Sequence, residues 1–371
     1  MFKRLLKILI LGIIFYSISL FIKGHFGLHN RLGFMGRSID DTMGETGKLS
    51  TDAEFDEDEL LQRIEQGLLG VEDSIKVDNR LLGDEEFLSN VIESALARNP
   101  EIMYYKGARY GRGKLFFEYS KSAEDIKLHR NIIRRRRDRI IEKLIRPDMS
   151  EYERVKRIHD YVIDETRYDR RYINNEPVPE ESHTVYGVLG EGVALCGGYA
   201  KTMKYLLDAI DIESIVIVGE TTYDNHAWNI IKIDGYYYHL DATWNDPVTE
   251  DGADVIIYDY FNLRDEDIEK THTWDREAYP ECNSNKHNYY HYNGLIADNY
   301  NQFYDRVEQS LLNGDRALAI KVLDYDIEVY DLPRIINGIV QGRVNSIGIG
   351  EYGYAINDDQ GIVKIEFKYT R

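Results

Sequence analysis

Cysteine is scarce in this chain of 371 residues, which has two, Cys196 and Cys282. Two thiols exclude a multi-disulfide scaffold and any zinc site built mainly from cysteine. A single Cys196–Cys282 disulfide is the bland use for them, and it would consume both. Positive charge is the second shortage. Lys and Arg number 46 against 65 Asp and Glu, a net charge of −19. Nucleic acid is therefore not expected as a partner, because phosphate contacts need clustered cations. The one basic run, Arg134–Arg137, is flanked by Ile132, Ile133, Ile140, Ile141 and Leu144 at helical spacing. It reads as the solvated face of an amphipathic helix. No acidic cluster has the spacing of a calcium loop, and neither a metal nor a cofactor is expected.

A long apolar run is present at the N-terminus. ILILGIIFYSISLFI (8–22) follows the basic MFKRLLK and ends at Lys23. The stretch approaches the length that spans a bilayer. Lys3, Arg4 and Lys7 before it favour a cytoplasmic N-terminus and an exported remainder. Residues 1–23 thus read as a transmembrane anchor. Ser17-Ile18-Ser19 offers a small-x-small cleavage site, so a cleaved signal with a secreted product is the alternative. Residues 24–60, polar and acidic, read as a solvated linker.

Two later regions echo each other. RIEQGLL (63–69) resembles RVEQSLL (306–312), and SIKVD (74–78) resembles AIKVLD (319–324). Each echo precedes an amphipathic helix. Each then ends in a predicted hairpin, turning near Gly111–Gly113 in one copy and near Asp358–Gly361 in the other. The pattern predicts two small α/β modules, 61–127 and 296–371, around a central domain, 128–295. The central domain opens with helices: one over 132–145, then one begun by the capping box Ser150-Glu-Tyr-Glu153. Strands follow from Ser214.

Cys196 lies in ALCGGYA. After it Tyr199, Ala200, Met203, Leu206, Leu207 and Ile210 keep helical spacing, so a buried helix starts at or near the thiol. A helix start favours a thiolate, and Gly197 and Gly198 leave the sulfur approachable. The Cys196 N–H could face a developing oxyanion. Read alone, the residue is as well explained as a small buried hydrophobe. Downstream, HAWNIIKI and YYYHLDATW flank Asp234-Gly235, a two-residue hairpin signal. Pairing Ile233 with Tyr236 places His226, Trp228 and Asp241 on one face. A carboxylate beside an imidazole can fix its tautomer while the other ring nitrogen serves a nucleophile. His239 shares the same parity, and spacing alone leaves both histidines open.

The blocks GVALCGGYAKTMKYLLDAI, DNHAWNIIKIDGYYYHLDATWNDP and YDYFNLRDEDIEKTHTW resemble the core of the transglutaminase-like superfamily, and specifically the bacterial branch related to the cytokinesis and kyphoscoliosis peptidases. MSEYERVKRIHDYVIDETRYD resembles the helix leading into that core, and the likeness covers about 130–275. It implies an α+β, papain-like fold, a helical lobe with an antiparallel sheet. It also implies a triad of Cys196 as nucleophile, His226 as base and Asp241 as orienting carboxylate. Gly197, Trp228 and Trp244 are possible supports of the site, the tryptophans mainly as packing. His272 and Trp274 match the family's trailing segment in a structural role. Together these features lead to an expected anchored, extracytoplasmic cysteine peptidase or acyltransferase. Its substrate would be a peptide or protein, with a cell-wall peptide as one candidate, attacked through a thioester. A non-catalytic cell-envelope binding protein on the same fold is the alternative. The aromatic stretch 287–305 reads as a loop packed on the domain, or else as a contact surface.

Overall fold

A computed structural model describes residues 57–78, 85–222, 224–248, 255–342 and 349–369. The apolar segment expected as a membrane anchor lies outside them. Among the described residues no helix is long and apolar enough to cross a membrane. The architecture is mixed α and β, with helices and largely antiparallel sheets. The chain divides into two compact units, 1–229 and 230–371.

The first unit opens with α1 (Glu57–Gly70), β1 (Ser74–Lys76), α2 (Glu85–Arg98), β2 (Tyr105–Gly111) and β3 (Lys114–Tyr119). Glu57, Asp58 and Glu59, part of the stretch read as linker, form the first turn of α1. Their carboxylates complement the unpaired N–H groups there. The strands lie in the order β1-β3-β2, and Arg112 and Gly113 turn the hairpin with positive φ. Ile64 and Leu68, from the echoed motif, pack with Leu88, Val91, Leu115 and Phe117 in one core.

Next come α3 (Ala123–Leu144) and α4 (Glu151–Asp164). The first starts well before the expected 132, because the Ser122 side chain accepts from the Asp125 N–H at 3.1 Å and caps it. Ile126, Ile133 and Ile140 bury one stripe of α3, while Arg134, Arg135 and Arg136 face solvent. The capping box of Ser150 and Glu153 forms as expected. β4 (Arg167–Tyr168) and β5 (Val193–Ala194) pair in parallel, separated by α5 (Arg170–Ile173) and two irregular turns. Then follow α6 (Cys196–Asp208), β6 (Ser214–Thr221) and β7 (Asn225–Ile233), with β6 beside β7.

In the second unit β7 continues into a hairpin with β8 (Tyr236–Leu240). Asp234 and Gly235 have φ of 48° and 84°, the left-handed pair that a two-residue turn needs. β9 (Phe261–Leu263) pairs with β8, His239 opposite Leu263. The chain runs on through α7 (Asp265–Ile268), β10 (His272–Thr273), α8 (Tyr289–Tyr292) and β11 (Ile296–Ala297). It ends with α9 (Tyr300–Asn313), β12 (Ala317–Val322), α10 (Leu332–Gly342), β13 (Ile349–Asn357) and β14 (Ile362–Tyr369). The order β12-β14-β13 repeats that of β1-β3-β2, with β11 added at the β12 edge. Val307 and Leu311 pack with Ile320, Ile336, Val363 and Phe367 as Ile64 and Leu68 do in the first copy. In the aromatic stretch 287–305, Tyr290 is buried and its hydroxyl donates to Asp259 at 2.9 Å. Tyr289 stacks on Tyr258.

Candidate active site

Cys196 is the first residue of α6, as the apolar spacing behind it requires. Leu195, extended at φ −100° and ψ 175°, delivers the chain to the helix. Its carbonyl accepts from the N–H groups of Gly198 at 2.8 Å and Tyr199 at 3.1 Å. Tyr199, Ala200, Met203, Leu206 and Leu207 are buried, so the helix is fixed along its length. Cys196 itself is half-buried, and both cysteines are free thiols. The two glycines after it differ. A Cβ at Gly198 would meet the Ser182 carbonyl at 2.6 Å and the Ala194 Cβ at 2.8 Å, whereas at Gly197 it would meet only the His183 carbonyl, at 3.8 Å. Gly198 is therefore a packing requirement rather than an opening to the sulfur. Gly197 leaves space beside it.

His226 lies on β7, buried, its ring stacked on Trp228 at 6.0 Å. Trp228 is buried in the core, as expected of a packing residue. The Asn229 side chain joins β7 to the cysteine helix: its Nδ2 donates to the Ala200 carbonyl at 3.0 Å and to Ser214 Oγ at 3.3 Å. A second link is Tyr172, which follows β4 and donates its hydroxyl to Asp224 Oδ2 at 2.6 Å. The Tyr172 hydroxyl lies within electrostatic reach of Cys196, and the Asp224 carboxylate within reach of His226. Burial, outweighing the Tyr172 hydrogen bond, holds the Asp224 carboxyl above the usual range. The thiol and the imidazole thus both feel one half-buried hydroxyl–carboxylate pair within the first unit.

The turns around the thiol are braced by Asp169. It accepts from Ser182 Oγ at 2.6 Å and from the Arg171 guanidinium at 2.8 and 2.9 Å. Lys201 Nζ donates to the His183 carbonyl at 3.2 Å. Burial lowers the Lys201 pKa.

Asp241 lies in the second unit, fully buried just past β8. Its Oδ1 accepts from the N–H groups of Thr243 at 2.9 Å and Trp244 at 3.1 Å. Its Oδ2 lies 3.2 Å from His272 Nε2, and His272 Nδ1 is 2.8 Å from Thr271 Oγ1. The half-buried Trp244 ring leans on His272 at 4.6 Å. His272 thus holds the carboxylate directly. The sequence reading gave it a structural role without a partner, since 31 residues separate the two. His239, the rival histidine, is paired with a different carboxylate, Asp265 Oδ1, at 2.8 Å, with Trp274 against its ring. His239, Asp265 and Cys282 bring three ligating atoms within 4.8 Å of one another.

Residues 138–242 match the family model for the transglutaminase-like superfamily, a range that includes Cys196, His226 and Asp241. No match was found among curated proteins. One similar solved structure is a TGase, 18% identical over 35% of each chain with a TM-score of 0.29. Another is a candidate cysteine protease from Cytophaga hutchinsonii, 16% identical over 37% of this chain and 47% of that one, with a TM-score of 0.26. The chain thus spans less than half the length of either structure. The segment 138–242, with the thiol-bearing helix inside it, is the part of the chain that resembles that superfamily.

Proposed function

We propose that the protein is a thiol enzyme that attacks amide bonds of peptides or proteins, with Cys196 as nucleophile, His226 as base and Asp241 as the carboxylate that orients the imidazole. The observation that carries this reading is the placement of Cys196 at the start of α6, with the His226 strand tied to that same helix through Asn229. In the first half-reaction His226 takes the thiol proton and the sulfur attacks the carbonyl carbon. The N–H groups at the head of α6 favour the oxyanion. The leaving amine departs with the proton held by His226, and a thioester remains. Water then completes a peptidase cycle, while an amine would complete a transamidation. Hydrolysis is the favoured course, because an exported site faces abundant water.

The N-terminal apolar run and the basic residues before it support a catalytic part outside the cell membrane, anchored by a single pass or secreted after cleavage. A second reading, a non-catalytic cell-envelope scaffold, is motivated by the paired modules, each with its own core. The test is to incubate the full-length protein with cell-wall peptides and a labelled amine, and to follow cleavage and incorporation together. Cleavage without incorporation is expected. It should fall by roughly six orders of magnitude in Cys196→Ala and by at least about 10²–10⁴-fold in His226→Ala. Incorporation of the amine would make the enzyme a transamidase. Absence of both reactions, with an unreactive Cys196, would leave the scaffold. Protease applied to intact cells should release the region 61–371, and its protection would reverse the orientation.

A further inference from the structure

We infer that His239, Asp265 and Cys282 form a binding site for a divalent transition-metal ion of the zinc type. Each donor comes from a different segment: β8, the first residue of α7, and the connection between β10 and α8. Their ligating nitrogen, oxygen and sulfur atoms lie within 4.8 Å of one another. His239 and Cys282 are buried, at 0% and 1% exposure, while Asp265 reaches the surface in part. The backbone holds two of the donors in register: the Asp265 N–H donates to the Cys282 carbonyl at 2.8 Å, and the Cys282 N–H returns to Asp265 Oδ2 at 3.3 Å. Trp274, 4.7 Å from the His239 ring and edge-on to it, restricts the imidazole.

The donor set is mixed nitrogen, oxygen and thiolate, the combination that tetrahedral zinc accepts. Charge also favours it. A dication, one thiolate, one carboxylate and a neutral imidazole sum to zero, which a buried site requires. The buried Cys282 sulfur lies beside the Asp265 carboxylate. Its contact to the Pro280 carbonyl is long, at 3.8 Å.

Binding would break the Cys282 S–H bond and form a sulfur–metal bond, with the proton passing to solvent. His239 would ligate through Nε2, keeping its proton on Nδ1, and nothing would be oxidised or reduced. The His239–Asp265 separation, 2.8 Å as a hydrogen bond, would open to about 3.3 Å, the spacing of ligands about 2.0–2.1 Å from one tetrahedral ion. Three protein ligands leave a fourth position for water on the Asp265 side. The ion would fasten the connection through Cys282 to β8, a structural role separate from the acyl chemistry proposed for Cys196.

The two-cysteine composition makes the test clean. In full-length Cys196→Ser protein, Cys282 is the one remaining thiol. The protein, stripped with chelator and kept reduced, is titrated with cobalt(II). The expected result is one equivalent bound, with a thiolate-to-cobalt charge-transfer band that added zinc removes. Asp265→Asn, close in shape, should weaken cobalt binding at least tenfold and keep the band at saturation. Zinc at about one equivalent should also accompany the wild-type protein purified without chelator. Absence of the thiolate band in folded, reduced Cys196→Ser protein overturns the proposal, as does a band that persists when Cys282 is also changed to Ser.

Discussion

At the scale of single residues, the molecule uses its few reactive groups in contrasting ways. Cys196 is half-buried at a helix start, and Cys282 is sealed beside a carboxylate. His226 lies beside the Tyr172–Asp224 pair, while His239 is bound to Asp265. Asp169 shows how a buried carboxylate is kept charged. Burial alone would raise its pKa, but the bonds from Arg171 and Ser182 outweigh it and hold it below the ordinary value. A depressed carboxyl contributes stability that is fully present above the unfolded value of about 3.9. That contribution is lost as pH falls through the lower, folded value. Asp169→Asn should therefore cost about 2 kcal/mol near neutral pH. The difference from wild type should shrink as pH drops below about 4. Urea unfolding midpoints of both proteins between neutral and acid pH check this. A gap independent of pH would mean that the Asp169 charge contributes nothing.

At the scale of elements, what could be read from the sequence was what local chemistry decides. The Asp234-Gly235 turn, the Ser150–Glu153 capping box and the start of α6 at Cys196 follow from residues within a few positions of each other. Pairings across long separations left no such trace. Tyr172 meets Asp224 across 52 residues, and His272 meets Asp241 across 31. No periodicity encodes either contact. The acidic turn of α1 was misleading for another reason: the same carboxylates suit a solvated linker and a helix N-terminus equally. The glycines after Cys196 also looked alike but have different neighbours. Gly198→Ala should destabilise by about 1–3 kcal/mol, because its Cβ would press on the backbone of the Ser182 turn. It should also lower turnover by moving the head of α6. Gly197→Ala, with its nearest neighbour at 3.8 Å, should change stability by less than about 1 kcal/mol, the cost of an ordinary surface change. Thermal melts and turnover of the two variants check the contrast. Equal losses would place the constraint elsewhere.

For the whole molecule, the echo between RIEQGLL and RVEQSLL was legible because Ile64 and Leu68 in one copy, and Val307 and Leu311 in the other, are core residues. Leu68 and Leu311 occupy equivalent helix positions in two modules with the same element order. Leu68→Ala and Leu311→Ala should each cost about 3 kcal/mol through the cavity left behind. Because the cores are separate clusters, the losses should be local in hydrogen exchange. Leu68→Ala should loosen β1–β3 and spare β12–β14, and Leu311→Ala should do the reverse. Uniform loss of protection in either variant would show the modules to be one cooperative unit. The central claim, that Cys196 is the activated nucleophile, is tested most directly by alkylating the native protein with iodoacetamide near neutral pH and locating the adduct by peptide mass mapping. The account predicts rapid, single modification at Cys196, slowed in His226→Ala, with Cys282 untouched until the chain unfolds. Alkylation of Cys196 no faster than that of a free model thiol, and indifferent to His226→Ala, would contradict it.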